Sequence, residues 1–251
     1  MSSDIAVKTL PEFVAAVTNL GPGIYRGQPE DFPLLPGIIR PYLDRARERN
    51  PKLERTLLER FRLNAAPYLS GLEDTSLAGW WRCLALAQHH RLPTRLLDWT
   101  TSPLAALYFA TEGYEGRSTE PVVYVLSRPE PLTAEEFARQ FDSPPWKYEH
   151  ESLLFLQPDL MHPRVLAQGS LFSVHPGVPV DRWDARFYEE QVRRIVIPKS
   201  AVREVIGSVY RFGFTRARLF QDPEAVSQTL VWEARGEMDR LPAEVVNPQR
   251  S

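Results

Sequence analysis

The apolar positions of this chain fall into short blocks whose spacing changes repeatedly between helical and strand-like. Near the start, Thr9 and Pro11 precede EFVAAVTNL, where Phe13, Val14, Val17 and Leu20 share one face, so a capped helix is predicted. GPG breaks it, and IYRGQ reads as a short strand running into a loop. Residues 32–41, FPLLPGIIRP, hold three prolines and a glycine and read as a constrained connector, with Arg40 held against Pro41. A charged helix is expected to start at Asn50-Pro51, Asn capping and Pro in the first turn, with Leu53 onward apolar at three- and four-residue spacing.

Leu77 to His90 (LAGWWRCLALAQHH) is apolar nearly all round, the pattern of a helix enclosed by other elements. Pro93 stops it. Residues 91–101 are read as a connector, after which Ser102 caps a second buried helix with Pro103 at its first position and LAALYFA as its body. PVVYVLS at 121–127 is a β-branched strand. Residues 128–163, punctuated by DSPPW, read as a long excursion or lid. RVLAQGSLFSVHP reads as a strand or bent hairpin, with Gly169 at a bulge or close approach, and RRIVIP as another strand. SAVREVIGSVYRFGF reads as a helix capped by Ser200 and ending at Gly213. No repeat is visible, and helices interleave with strands irregularly. The expectation is an α+β fold, one domain over residues 1–232 with a mixed or antiparallel sheet and packed helices, then a loose polar tail at 233–251.

Composition narrows the chemistry only slightly. Thirty Lys and Arg against 32 Asp and Glu leave a net charge of −2, which argues against a strongly basic nucleic-acid coat. The basic residues of 40–62 read as the solvated face of a helix. The single cysteine, Cys83, lies among large apolar side chains and reads as a small buried hydrophobe; one cysteine excludes a disulfide framework and a cysteine-rich zinc site. His150, His162 and His175 lack metal-ligand spacing, so no metal is expected. The N-terminus lacks a signal-peptide pattern and no apolar run reaches the roughly 20 residues of a membrane helix, so a cytoplasmic protein without a membrane partner is expected.

The unusual stretch is residues 88–110, QHHRLPTRLLDWTTSPLAALYFA, where polar residues gather at the break between two buried helices. Rigid support behind such a break suits a pocket with few, well-placed polar groups. The other reading is a structural network in which His89, Arg95 and Asp98 tie down the connector. Adjacent on a helix, His89 and His90 diverge by about 100°, so only one of them is expected in the cleft and the other at a packing or surface position. Trp99 is expected in the core or stacked on a ligand ring.

The same stretch closely resembles the signature of the FRG domain family, whose Phe-Arg-Gly motif appears here as Tyr25-Arg26-Gly27-Gln28. The resemblance runs on through LERTLLERF, AQGSLFSV at 167–174 and GFTRARLFQD at 213–222, from about residue 20 to 230. A more distant likeness is to ADP-ribosyltransferases, with their split sheet. That likeness implies NAD as substrate. It makes Arg26 the phosphate clamp, with Tyr25, Gly27 and Gln28 beside it, and makes Thr101 and Ser102 the step that supports the nicotinamide ribose. Thr94, Arg95 and Trp99 are further candidate NAD contacts. Gln168 stands where that family has its catalytic glutamate, and a glutamine carries no charge to stabilise a developing cation. The acid is therefore sought in Asp98, with Glu149 and Glu151 as alternatives, and His89 completes the candidate catalytic set. The implied activity is transfer of ADP-ribose to a nucleic acid or protein, in the setting of a bacterial toxin or phage-defence effector. A non-catalytic nucleotide- or partner-binding module, and less favourably a nuclease using His89 and Asp98, are the other readings.

Overall fold

The computed structural model describes residues 4–43, 45–46, 50, 52–114, 117–127, 129–150, 153–158, 167–175 and 192–234. Its strands are β1 (Ile5–Ala6), β2 (Gly23–Gln28), β3 (Leu96–Thr100), β4 (Val122–Ser127), β5 (Leu154–Leu156), β6 (Ser170–Val174) and β7 (Arg193–Val196). The helices are α1 (Leu10–Leu20), α2 (Leu53–Ala65), α3 (Leu77–His89), α4 (Pro103–Thr111), α5 (Ala134–Phe141), α6 (Val202–Arg211), α7 (Arg216–Phe220) and α8 (Pro223–Trp232). The strands form one mixed sheet in the order β1-β7-β4-β2-β3-β6-β5, parallel at β1–β7 and antiparallel at every other junction. The architecture is α+β, as the irregular interleaving of elements predicts.

Alternation along the strands divides the core. Val123 and Val125 of β4 pack with α1, α4 and α6, whereas Val122, Tyr124 and Leu126 pack with Ile24, Leu97, Trp99 and Leu171. Beyond β2 a separate cluster joins α3, α5 and Leu58 of α2 to Leu96, Phe172 and Val174. Two helical layers thus cover two parts of the sheet, and they meet where β2 adjoins β3. There the sheet is barely joined: β2 and β3 share one residue pair, Tyr25–Thr100, against six pairs for β2–β4 and five for β3–β6.

Several local signals act as their chemistry requires. Thr9 caps α1 by accepting from the Glu12 amide, and Ser102 caps α4 by accepting from that of Ala105. Gly169, at φ +57°, approaches the end of β3 so closely that a Cβ there would lie 2.5 Å from Thr101 Oγ1.

Other elements differ from expectation. Residues 96–100 are a strand rather than part of a connector; sheet and helices cover both its sides, so LLDWT lacks the clean alternation of a half-exposed strand. The excursion at 128–163 contains α5, opened by a Thr133–Glu136 capping box, and β5 at the sheet edge. Helix α2 starts at Leu53, with Asn50 Oδ1 instead accepting from the Lys52 amide, and α6 starts at Val202 after a 3-10 turn through Ser200. The tail predicted from residue 233 lies, past Ala234, outside the described residues, as do Glu151 and His162.

Candidate functional site

At the β2–β3 junction lies an open cleft of about 460 Å³. Its walls come from β2, β3, the end of α3, Phe109 of α4 and the connector at 37–42. The connector is fastened by the Ile38 amide, which donates to Thr94 O at 3.1 Å, and Gly37 packs so tightly on Pro93 that a Cβ would lie 3.1 Å from its Cα. Arg40, whose Nε donates to Leu35 O at 3.2 Å, is thereby set on the cleft wall. Among the described residues the charged members of the lining are Arg26, Arg40, Arg91 and Asp98, three cations to one anion.

Arg26 and Asp98 meet across the gap in the sheet. Arg26 Nη1 donates to the Asp98 carbonyl at 2.8 Å and lies 3.6 Å from Asp98 Oδ2. The guanidinium takes the place that a strand neighbour's N–H fills in a continuous ladder, which gives the unpaired carbonyl its donor. Asp98 is also held from the other side. Gln88 Nε2 donates to Oδ2 at 2.9 Å, and Gln88 Oε1 accepts from Thr94 Oγ1 at 2.6 Å. The Thr94 hydroxyl in turn accepts from the Leu96 amide, so the start of β3 orients the carboxylate two residues further along. The Asp98 side chain remains 55% exposed while that of Arg26 is 14% exposed, so a ligand reaches the carboxylate readily and the guanidinium from one side.

Tyr25, Gly27, His89, Trp99 and Gln168 also line the cleft. Burial raises the Tyr25 phenol pKa. A Cβ on Gly27 would collide with Ala106 O and Ala110 N of α4, so this glycine serves close helix–sheet packing. Trp99 is 2% exposed and donates Nε1–H to Ser173 Oγ at 3.0 Å, which leaves no free ring face for stacking. Gln168 lies just before β6, where its side-chain amide donates to Leu219 O at 3.0 Å and its carbonyl accepts from Thr100 Oγ1.

The remaining sequence candidates lie outside the lining. Gln28 is buried and donates to Phe32 O; Thr94 acts through Gln88. Thr101 and Ser102 are structural: the first stitches its backbone to Gly169 O and the second caps α4. Arg95 is corrected most clearly. Its guanidinium forks onto Glu54 of α2 (Nε–Oε1 2.8 Å, Nη2–Oε2 2.5 Å) and donates to Tyr148 O at 2.8 Å, so it clamps α2 to the sheet. Glu149, considered as an alternative acid, does not reach the cleft. Gln88, Arg40 and Arg91 were not singled out by sequence reasoning. The signal for Gln88 lay in its position one residue before His89, at the same helix end.

Two further cations of the basic run are engaged on α2: Arg55 pairs with Glu59, and Arg62 donates to Leu72 O and lies 4.7 Å over the Trp80 ring. Cys83 is buried, which pushes its thiol pKa up to about 11 and makes it inert at neutral pH. Among the described residues no group of three His, Cys, Asp or Glu is placed to hold a metal, and no helix is long and apolar enough to cross a membrane.

Residues 21–118, which span β2, the connector, α2, α3, β3 and α4, match the family model described as FRG domain. This part of the chain is an FRG domain, and it contributes both members of the Arg26–Asp98 pair. No curated protein and no solved structure matches the chain.

Proposed function

We propose that the cleft binds a phosphorylated nucleotide and that the chain is an NAD-consuming enzyme of the ADP-ribosyltransferase type. The observation that carries this reading is the meeting of Arg26 with Asp98, 72 residues apart in sequence, in a hollow whose other charged lining residues, among those described, are two arginines. Planar guanidinium groups bind phosphate oxygens in pairs, and Arg26 with Arg40 on the walls of one cleft suits a pyrophosphate.

In this reading Arg26 and Arg40 hold the pyrophosphate, and Asp98 accepts the hydrogen bond of the nicotinamide-ribose 2′-hydroxyl. The bond between ribose C1′ and nicotinamide breaks with its electron pair leaving on nicotinamide. Asp98 stabilises the oxocarbenium charge that develops on the ribose. A nucleophile of the acceptor then bonds to C1′ and gives up its proton. Gln88 keeps the carboxylate aimed, and a pyrophosphate competing for Arg26 leaves Asp98 its full negative charge. Gln168 supplies at most a neutral hydrogen bond.

Incubation with NAD and measurement of released nicotinamide tests the reaction. Asp98→Asn is expected to lower release by about 10²–10³-fold, the usual loss when one group that stabilises transition-state charge is removed. Arg26→Ala is expected to remove NAD binding while the protein stays folded. A second reading, binding without cleavage, is favoured by the neutral Gln168 side chain and its bond to Leu219 O. In that case wild-type protein binds NAD in calorimetry and releases nothing. Failure of NAD, ADP-ribose and ADP alike to bind sinks both readings.

A further inference from the structure

Beside the cleft lies a second, smaller hollow of about 310 Å³, bordered by His89, His90, Arg91 and Arg216 together with Asp222 and Glu224. Its size is at the lower end of the roughly 300–1,000 Å³ usual for small-molecule pockets, enough for one nucleotide unit. His89 and Arg91 border both spaces, so the two are neighbours across the end of α3. Although adjacent in sequence, both histidines face the hollow. His90 is the C-cap of α3, where helical geometry ends, and its ring stands edge-on to that of His89 at 5.2 Å.

Arg91 is the telling residue. The Arg91 amide bonds to Gln88 O and the Leu92 amide to Ala87 O, a helix ending that needs a left-handed residue; Arg91 adopts φ +65°. Glycine or asparagine is the usual occupant. An arginine accepts backbone strain there and sets its cation on the border of the two spaces, where it forms no side-chain hydrogen bond or ion pair among the described residues.

The rest of the lining offers more than charge. Arg216, fixed by Glu112 at 2.7 Å, is a second guanidinium for phosphate. Asp222, whose Oδ1 caps α8 through the Ala225 amide, and Glu224 add carboxylates. Carboxylates repel a bare polyanion, yet they accept hydrogen bonds from the amino groups of bases. Cations and carboxylates around one nucleotide-sized space therefore suit a nucleotide unit, phosphate and base together.

We propose that this hollow is a second nucleotide subsite and that a single-stranded nucleic acid docks there, its phosphate on Arg91. As the place of the acceptor it rests on the reading of the main cleft; as a nucleic-acid site it is tested separately. The experiment is fluorescence anisotropy of a labelled single-stranded octanucleotide of mixed sequence, as RNA and as DNA, against the full chain and its Arg91→Gly and Arg91→Lys variants. Arg91→Gly suits the left-handed backbone, so its melting temperature should equal or exceed that of the wild type. Its oligonucleotide affinity should fall at least about tenfold, with the salt dependence reduced by roughly one phosphate contact. Arg91→Lys should retain part of the affinity.

Equal binding by wild type and Arg91→Gly overturns the subsite, as does the absence of binding by either oligonucleotide, including where a labelled acidic peptide binds instead. Oligonucleotide binding that depends on Arg91, without NAD binding, leaves this subsite standing and removes the main-cleft reading. NAD turnover together with oligonucleotide binding that is indifferent to Arg91 does the reverse.

Discussion

Arg26 reaches Asp98 and Arg95 reaches Glu54, and the difference in their surroundings separates a binding role from a structural one. The Arg95 and Glu54 side chains are 9% and 13% exposed, and the fork between them is closed by the Tyr148 carbonyl. Removing one partner of such a pair leaves a buried charge uncompensated. Arg95→Ala is therefore expected to destabilise the fold by about 3–5 kcal/mol, measured by urea unfolding. An equally stable variant contradicts the clamp. Asp98 is far more exposed, and Asp98→Asn should change unfolding by less than about 1 kcal/mol while it alters turnover. From sequence alone Arg95 and Asp98 looked equivalent, since both lie in one polar run. What separates them is Glu54, 41 residues away on α2, and no spacing rule predicts that contact.

At the scale of elements, the seating of α4 on β2 depends on Gly27. Gly27→Ala would drive a Cβ into the backbone of α4, which cannot yield as a flexible side chain does. A loss of about 1–3 kcal/mol is expected, with the melting temperature as readout; an unchanged value would mean that α4 shifts freely. The helices flanking the cleft were legible because their caps and breakers are local: Ser102, Pro103 and Pro93 act within a few residues of their position. β3 was not, because its identity as a strand comes from β6 pairing along its whole length. α5 was legible in principle. Its Thr133–Glu136 capping box is a local signal, obscured by the prolines around it. Within the site, Arg26, His89 and Asp98 were legible by residue type and motif. Arg40 and Arg91 were not, since a connector and a helix end disclose their direction only after folding.

Across the whole molecule, His175 couples stability to pH. Burial holds its imidazole pKa well below the usual value near 6.5, with the Arg95 and Arg26 guanidinium groups adding to the effect. The native state thus keeps His175 neutral where the unfolded chain binds a proton. Stability from this group is complete above about pH 6.5 and declines below it, by up to about 1.4 kcal/mol per pH unit. Unfolding titrations at pH 7.5, 6.5 and 5.5 should show the decline, and His175→Gln should flatten it. Glu30, Asp74 and Glu136, whose carboxyl pKa values are lowered chiefly by backbone N–H donors, titrate in a more acidic range. The single rung between Tyr25 and Thr100 bears on the molecule as a mechanical object. Apart from that rung, the seam is held by the Arg26–Asp98 bond and by Ile24 clustered with Leu97 and Trp99. A guest bound in the cleft at that seam would add one more brace between the two sides of the sheet.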